Sequence, residues 1–181
     1  DYDESSNARA LSKYIGSKHY DLKIDKNFFL ENIQTIVDLK GSPASIPHEF
    51  ALYCLCKEIK KDVSVLLSGE GADEFFGGYS RVQKSAFDFN KTNLFYGNFN
   101  KGKFFNFFLD RYKWFSVKEK NMLFSTDSKK IIDDKLVYKP FEDIFKKSSK
   151  KQTYNVILES FQKNHIKALL DRLDLMSMKS G

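Results

Sequence analysis

The sequence predicts an α/β chain, part of a doubly wound parallel sheet in the first half, followed by a mostly helical half. Three observations carry this expectation. The run Val63 to Leu67 is short and apolar, the pattern of a strand covered on both faces. It breaks at once into small residues and carboxylates, Ser68-Gly-Glu-Gly-Ala-Asp-Glu74, and a glycine-rich turn after a parallel strand lets the main chain approach a ligand closely. After Tyr79 no further strand pattern occurs, and apolar residues recur at helical spacing instead.

In chain order, Ser5 or Ser6 is a candidate N-cap, and Ala8, Leu11 and Ile15 are spaced for a helix that stops at Gly16. His19 to Ile24 alternates, with Tyr20, Leu22 and Ile24 on one face, which predicts a strand. Phe29, Ile33, Ile36 and Val37 define a second helix ending before the loop Gly41-Ser-Pro-Ala-Ser45. Pro47 suits the first position of a third, which carries Phe50, Tyr53 and Cys54 inward and finishes in Lys57 to Lys61. Helix, strand, helix, helix, strand with short connections is the rhythm of a doubly wound sheet, whose ligands sit at the carboxyl ends of strands, where Ser68 falls. In the second half, Ser116-Val-Lys-Glu119 is a capping box, Pro140 to Phe145 reads as another helix, and Tyr154, Ile157, Leu158 and Phe161 continue the pattern. Residues 90–103 and 125–130 are expected loops. The division expected is an α/β nucleotide-binding part over residues 1–84 and a helical part over residues 85–181.

Charge is uneven. Residues 1–90 hold 11 Lys/Arg against 14 Asp/Glu, a net of −3, and residues 91–181 hold 19 against 10, a net of +9. A basic half with Phe104, Phe105, Phe107, Phe108, Tyr112, Trp114 and Phe115 among Lys101, Lys103, Arg111 and Lys113 invites a nucleic-acid reading. Against it, the aromatics at 104, 105, 108, 112 and 115 fall near one helical face, the pattern of a core stripe, and the lysines are spread as on a solvated surface. Cys54 and Cys56 are two apart on a predicted helix and point to different sides, so the expectation is buried free thiols in a reducing cytoplasm, with no disulfide or zinc site. No signal, transit or membrane-spanning pattern is present. With Asp1 first and Gly181 inside a helix ending, the 181 residues are expected to be a piece of a larger domain.

The chemistry concentrates on the turn. Ser68 and Gly69 offer a hydroxyl and a backbone N–H to a nucleotide. Glu70, Asp73 and Glu74 would repel bare phosphates, and a divalent cation reverses that repulsion. An acidic residue at the start of a helix also stabilises its N-terminus, so Glu74 has a structural reading beside a functional one. Gly77 and Gly78 are expected to permit a tight backbone path. His19, His48 and His165 lack the spacing of a zinc helix, and Ser68 lacks the Gly-x-Ser-x-Gly pattern of a hydrolase nucleophile.

Leu67-Ser-Gly-Glu-Gly-Ala-Asp-Glu-Phe-Phe-Gly-Gly-Tyr79 closely resembles the second signature of the asparagine synthetase (glutamine-hydrolysing) family. Asp3-Glu-Ser, Ala8-Arg-Ala and Gly16-Ser-Lys-His19 resemble the segment that the family places upstream, and Leu170-Asp-Arg-Leu-Asp-Leu-Met-Ser-Met178 its downstream helix; residues 85–150 match only in general character. The resemblance implies the middle part of a C-terminal synthetase domain, with a sheet of the adenine-nucleotide alpha-hydrolase (ATP pyrophosphatase) type. It implies an ATP- and magnesium-dependent ligase that adenylates the side-chain carboxylate of aspartate and transfers ammonia to it, releasing AMP and pyrophosphate. Ser68 and Gly69 then match the pair contacting the adenylate. Glu70 matches a glutamate implicated in forming the acyl-adenylate, and Asp73 a carboxylate that helps hold magnesium on pyrophosphate. Asp174 and Met178 are expected to shape the pocket.

The ammonia would come from glutamine hydrolysed in an N-terminal domain of which this chain has nothing. The partners implied are aspartate and ATP, without nucleic acid or membrane, and a homodimer stays open. The family's first signature, Ser-Gly-Gly-x-Asp-Ser, and its Glu-x-Arg-x-Pro-Phe-Leu-Asp segment are absent from this sequence and are expected upstream and downstream of it. The loop Gly41-Ser-Pro-Ala-Ser-Ile-Pro47 differs from the asparagine-forming pattern, which leaves a relative acting on another carboxylate as the alternative, and a basic binding module as a second.

Overall fold

The structure, a computed structural model, describes residues 3–43, 47–96, 100–148 and 153–180. It consists of helices α1 (Ser5–Ile15), α2 (Lys26–Lys40), α3 (His48–Ile59), α4 (Ala72–Phe76), α5 (Ser80–Tyr96), α6 (Lys101–Tyr112), α7 (Val117–Leu123), α8 (Thr126–Ile131), α9 (Asp134–Lys147), α10 (Thr153–Ser160) and α11 (Ile166–Lys179), with a π-helical turn, Phe161–His165, between the last two. The chain divides into two compact units, Asp1–Leu66 with Arg172–Gly181, and Leu67–Asp171.

The first unit is built on α2, α3 and the end of α11. Asp25 accepts a hydrogen bond from the Phe28 N–H and caps α2, which stops at Gly41 in the left-handed conformation. Ile36, Phe50, Tyr53 and Met176 form its core, with Phe28, Phe29, Leu39, Leu52 and Leu175 against it. Glu49, almost fully buried, is neutralised by Lys40 at 2.7 Å. Cys54 and Cys56 are both buried free thiols, and burial pushes both thiols up from their ordinary pKa. Helix α1 ends at Gly16, as expected, but its N-cap is Glu4, and Ser5 instead donates its N–H to the Asp3 carboxylate.

The second unit is an aromatic helical cluster. Val82, Ala86 and Phe89 of α5, Phe104 and Phe108 of α6, Phe141 and Phe145 of α9, Val156 and Ile157 of α10, and Phe161 form one core. Its rings meet at staggered angles: Phe89 stacks on Phe104 at 4.9 Å, and Phe108 meets Phe145 at 4.8 Å. Helix α7 opens on the expected capping box, Ser116 accepting from the Glu119 N–H while the Glu119 carboxylate accepts from the Ser116 N–H. Helix α9 carries Pro140 within it.

Four expectations are corrected. No strand forms among the described residues, so the parallel sheet is not seen in this chain. Val63 to Leu67 and His19 to Ile24 are irregular, and Val65 and Leu67 are 81% and 93% exposed. A strand is held by ladder bonds to a neighbour, and neither segment pairs with one among the described residues. Of the expected loop 90–103, the described residues are largely helix: α5 continues to Tyr96 and α6 starts at Lys101, capped by Asn100, while residues 97–99 lie outside the described residues. Most of the expected loop 125–130 is α8, capped by Ser125. Finally, Phe104 and Phe108 are fully buried, but Phe115 is 65% exposed, because α6 ends at Tyr112 and the stripe does not continue past it. Trp114, just beyond that end, is 83% exposed and lies under the Arg81 guanidinium at 4.3 Å. Residues 44–46 of the Gly41 to Pro47 loop lie outside the described residues.

Candidate functional site

The turn after Leu67 is built almost wholly from local backbone bonds. Ser68 Oγ accepts the Glu70 N–H at 3.3 Å, and the Gly69 carbonyl accepts the Ala72 N–H at 3.2 Å. Gly71, at φ 97°, caps α4 in a conformation that side chains disfavour. Its hypothetical Cβ would also lie 3.2 Å from Ile166 Cδ1. The helix lasts five residues and stops at Gly77, φ 78°, where the Asp73 carbonyl accepts both the Gly77 and Gly78 N–H groups, at 2.9 and 3.1 Å. Ser68 to Asp73 therefore forms a turn into a helix, without the strand expected before it.

The three acidic residues end in different places. Glu70 is half-buried and Asp73 exposed, its carboxylate lying over Gly78, where any side chain would overlap it. Glu74 is 1% exposed. A carboxylate in that position needs partners; two side chains approach it, and a third bonds the Glu74 backbone. Tyr79 donates its hydroxyl to Glu74 Oε1 at 2.7 Å, Gln162 Nε2 donates to the Glu74 carbonyl at 3.4 Å, and His165 Nε2 stands 3.8 Å from Oε1. His165 Nδ1 is in turn 2.9 Å from the Tyr112 hydroxyl, and the imidazole is ringed by Tyr79, Tyr112 and Phe161.

Burial first, then the bond to Glu74, then the negative charges of Glu74, Asp73 and Glu70, push the Tyr79 hydroxyl well above its ordinary pKa. It stays protonated and donates. Burial likewise pushes Tyr112 up to about 12, so its phenol is neutral as well.

The structure thus keeps Ser68, Gly69, Glu70 and Asp73 on one turn, and it gives Glu74 a buried structural setting. Gly77 and Gly78 make close approaches, to Tyr154 and to Asp73 respectively. Asp174 and Met178 are exposed on α11, in the other unit. Tyr79, Tyr112, Gln162 and His165 were not legible as a group: they come from three segments, and sequence spacing alone gives no sign that Tyr79, Gln162 and His165 reach Glu74 or that Tyr112 backs His165. Among the described residues no group of three or more His, Cys, Asp or Glu is placed to hold a metal ion, and no helix is long and apolar enough to cross a membrane.

A profile described as asparagine synthase matches residues 1–181. The chain belongs to the asparagine synthase family. Its similarity to individual asparagine synthetases is partial. It is 36% identical over 69 residues to the glutamine-hydrolyzing asparagine synthetase 3 of Bacillus subtilis, across 38% of this chain and 11% of that protein. To asparagine synthetase 1 of the same organism it is 35% identical over 79 residues, 44% of this chain and 12% of the relative. To asparagine synthetase 3 of Arabidopsis thaliana it is 30% identical over 84 residues, 42% and 14% of the two chains. The chain thus spans only a small part of the length of these relatives. No solved structure matches it.

Proposed function

We propose that this chain is the middle part of the synthetase domain of an ATP-dependent amidoligase, which adenylates the side-chain carboxylate of aspartate and transfers glutamine-derived ammonia to it. The observation that carries the reading is the Ser68 to Tyr79 turn, with residue types suited to a nucleotide and with Glu70 and Asp73 beside Ser68 and Gly69, inside a chain that matches the asparagine synthase family from end to end. The nucleotide-binding part spans residues 1–84 and the helical part residues 85–181. Val63 to Leu67, exposed here, joins a parallel sheet with strands outside this chain, in a protein of the cytoplasm.

Hydroxide is a poor leaving group, so the carboxylate is first activated. A substrate carboxylate oxygen attacks the α-phosphorus of ATP, the new P–O bond forms, and the bond to pyrophosphate breaks. Ammonia then attacks the acyl carbon, the C–N bond forms, AMP leaves and a proton is lost. Ser68 and Gly69 offer a hydroxyl and an N–H to the adenylate. Glu70, half-buried on the same turn, is the glutamate assigned to forming the acyl-adenylate. Asp73, exposed and anchored through its own backbone carbonyl, fits magnesium, which takes one or two carboxylates and completes its shell with phosphates and water. Magnesium bound there supplies charge neutralisation for the pyrophosphate leaving group.

A basic nucleic-acid module is the poorer reading, since Phe104 and Phe108, the centre of the aromatic stripe, are consumed by the core and have no face left for a base.

The test is aspartate-dependent exchange of labelled pyrophosphate into ATP by the full-length protein. Exchange is expected for the wild type, with loss in Glu70→Gln and Asp73→Asn; this chain alone, without a pyrophosphate loop, is expected to be inactive. Unimpaired exchange in both variants refutes the assignment. Exchange that ignores aspartate and answers to another carboxylate moves the acceptor.

A further inference from the structure

The short helix that carries Asp73 does not hold itself. Five residues between two left-handed glycines form fewer hydrogen bonds than an isolated helix needs, and four of those residues cluster at the exposed surface of the turn, with only Glu74 buried. Glu74 is thus the one side chain through which α4 itself is held, beside the close packing of its capping glycines on Ile166 and Tyr154. Its carboxylate receives the Tyr79 hydroxyl on one side and faces His165 Nε2 on the other, and its carbonyl receives Gln162. Gln162 and His165 both belong to the π-helical turn Phe161–His165, and both side chains reach Glu74 of α4. Single π-turns inside helices recur at functional sites, where they redirect side chains. Nε2 stands at ion-pair distance from the Glu74 carboxylate, 3.8 Å, while Nδ1 shares a hydrogen bond with the Tyr112 hydroxyl at 2.9 Å. Tyr112 belongs to α6 and to the edge of the aromatic core. A continuous line of contacts thus runs from that core through Tyr112 and His165 to Glu74, and one residue further to Asp73.

We infer that His165 is a positioning residue: anchored by Tyr112 and paired with Glu74, it clamps α4 to the π-helical turn and so sets where the Asp73 and Glu70 carboxylates stand. The catalytic consequence rests on the amidoligase reading; the clamp itself does not. Residues that orient a ligand carboxylate from behind typically change activity by about 10–100-fold when removed.

The experiment uses the full-length protein with His165→Ala, His165→Gln, which keeps an amide donor within reach of Glu74, and Tyr112→Phe, which removes one oxygen from the line. Backbone hydrogen exchange is followed at Phe75, Gly77 and Gly78, whose N–H groups bond to Gly71 and Asp73, alongside amides of α5 and α6. In His165→Ala these three are expected to exchange about tenfold faster or more while α5 and α6 keep their protection. Pyrophosphate exchange is expected to lose about 10–100-fold in kcat with KM for ATP changed less than about threefold. His165→Gln is expected to recover most of both effects, and Tyr112→Phe to move both in the same direction by less. Where His165→Ala does not fold, Tyr112→Phe decides. Unchanged protection of α4 in a folded variant, loss of protection throughout α5 and α6, or glutamine as damaging as alanine overturns the clamp. A wild-type protein with no carboxylate-dependent exchange refutes the amidoligase reading, and selective loosening of α4 would then still support the clamp.

Discussion

Gly78→Ala separates the position of Asp73 from its presence. A Cβ added at Gly78 would overlap the Asp73 carboxylate oxygen and stand 2.6 Å from its Cγ and 3.2 Å from its Cβ. Carbon atoms in contact prefer about 3.5–4.0 Å, so the carboxylate has to swing aside by roughly 1 Å or more, while the Asp73 backbone, beyond the tightest overlap, is under little pressure. Asp73 is exposed and has other staggered rotamers open to it, and a side chain forced off its well costs about 0.5–1.5 kcal/mol. The variant is therefore expected to stay folded, within about 1.5 kcal/mol of wild type by denaturant titration. Its chemistry is expected to suffer much more, since a displacement of about 1 Å at a reacting constellation costs on the order of 100-fold. The assay is pyrophosphate exchange by the full-length protein, with Gly78→Ser as a second, slightly larger wedge. Wild-type exchange in a folded Gly78→Ala would mean that the Asp73 carboxylate does not work from the position described, and the reasoning from Gly78 would fall with it.

Phe108→Ala removes a fully buried ring from the centre of the second unit's core and is expected to destabilise it by about 3–5 kcal/mol, whereas Phe115→Ala, at an exposed site, is expected to stay within about 0.5 kcal/mol; thermal denaturation of both checks the contrast. Ser116→Ala breaks the capping box of α7 and is expected to cost about 1 kcal/mol. The hydrogen bonds to Ser116, side chain and then backbone, hold the Glu119 carboxyl below its ordinary pKa of 4.5. A lowered folded-state pKa makes the contribution of Glu119 fully present above pH 4.5 and lost as pH falls through the lower folded value, so Ser116→Ala is expected to flatten that acid limb in a pH series of denaturation curves.

Local chemistry was legible in the sequence. The capping box at Ser116, the left-handed stop at Gly16, and the inward face of Phe50, Tyr53 and Cys54 depend on residues a few positions apart, and the structure has each of them. Gly77 was readable for the same reason, because a positive φ is a property of one residue. What depends on distant partners was not legible. Val63 to Leu67 has the composition of a buried strand, but a ladder needs a neighbour that composition does not name. Glu74 reads equally well as a helix-start charge or as a ligand, and two of the side chains it meets, Gln162 and His165, lie far along the chain. Asn and Lys between residues 90 and 103 suggest a loop, yet Asn100 spends its side chain capping α6 through the Lys103 N–H. Phe115 continues a periodicity that its helix does not.

The single tryptophan stands outside the aromatic core, largely in solvent beneath Arg81, and this decides how the molecule can be watched. An indole already wet in the native state has little environment to lose on unfolding, so its emission colour is a poor witness to the collapse or melting of the second unit. The stacked and tilted rings of Phe89, Phe104, Phe108 and Tyr112 are held in a fixed asymmetric arrangement, and their near-ultraviolet circular dichroism disappears when that packing is lost. Tryptophan fluorescence will instead register events at the surface, where salt or a bound anion that draws Arg81 off the indole face changes its quenching while the core remains intact.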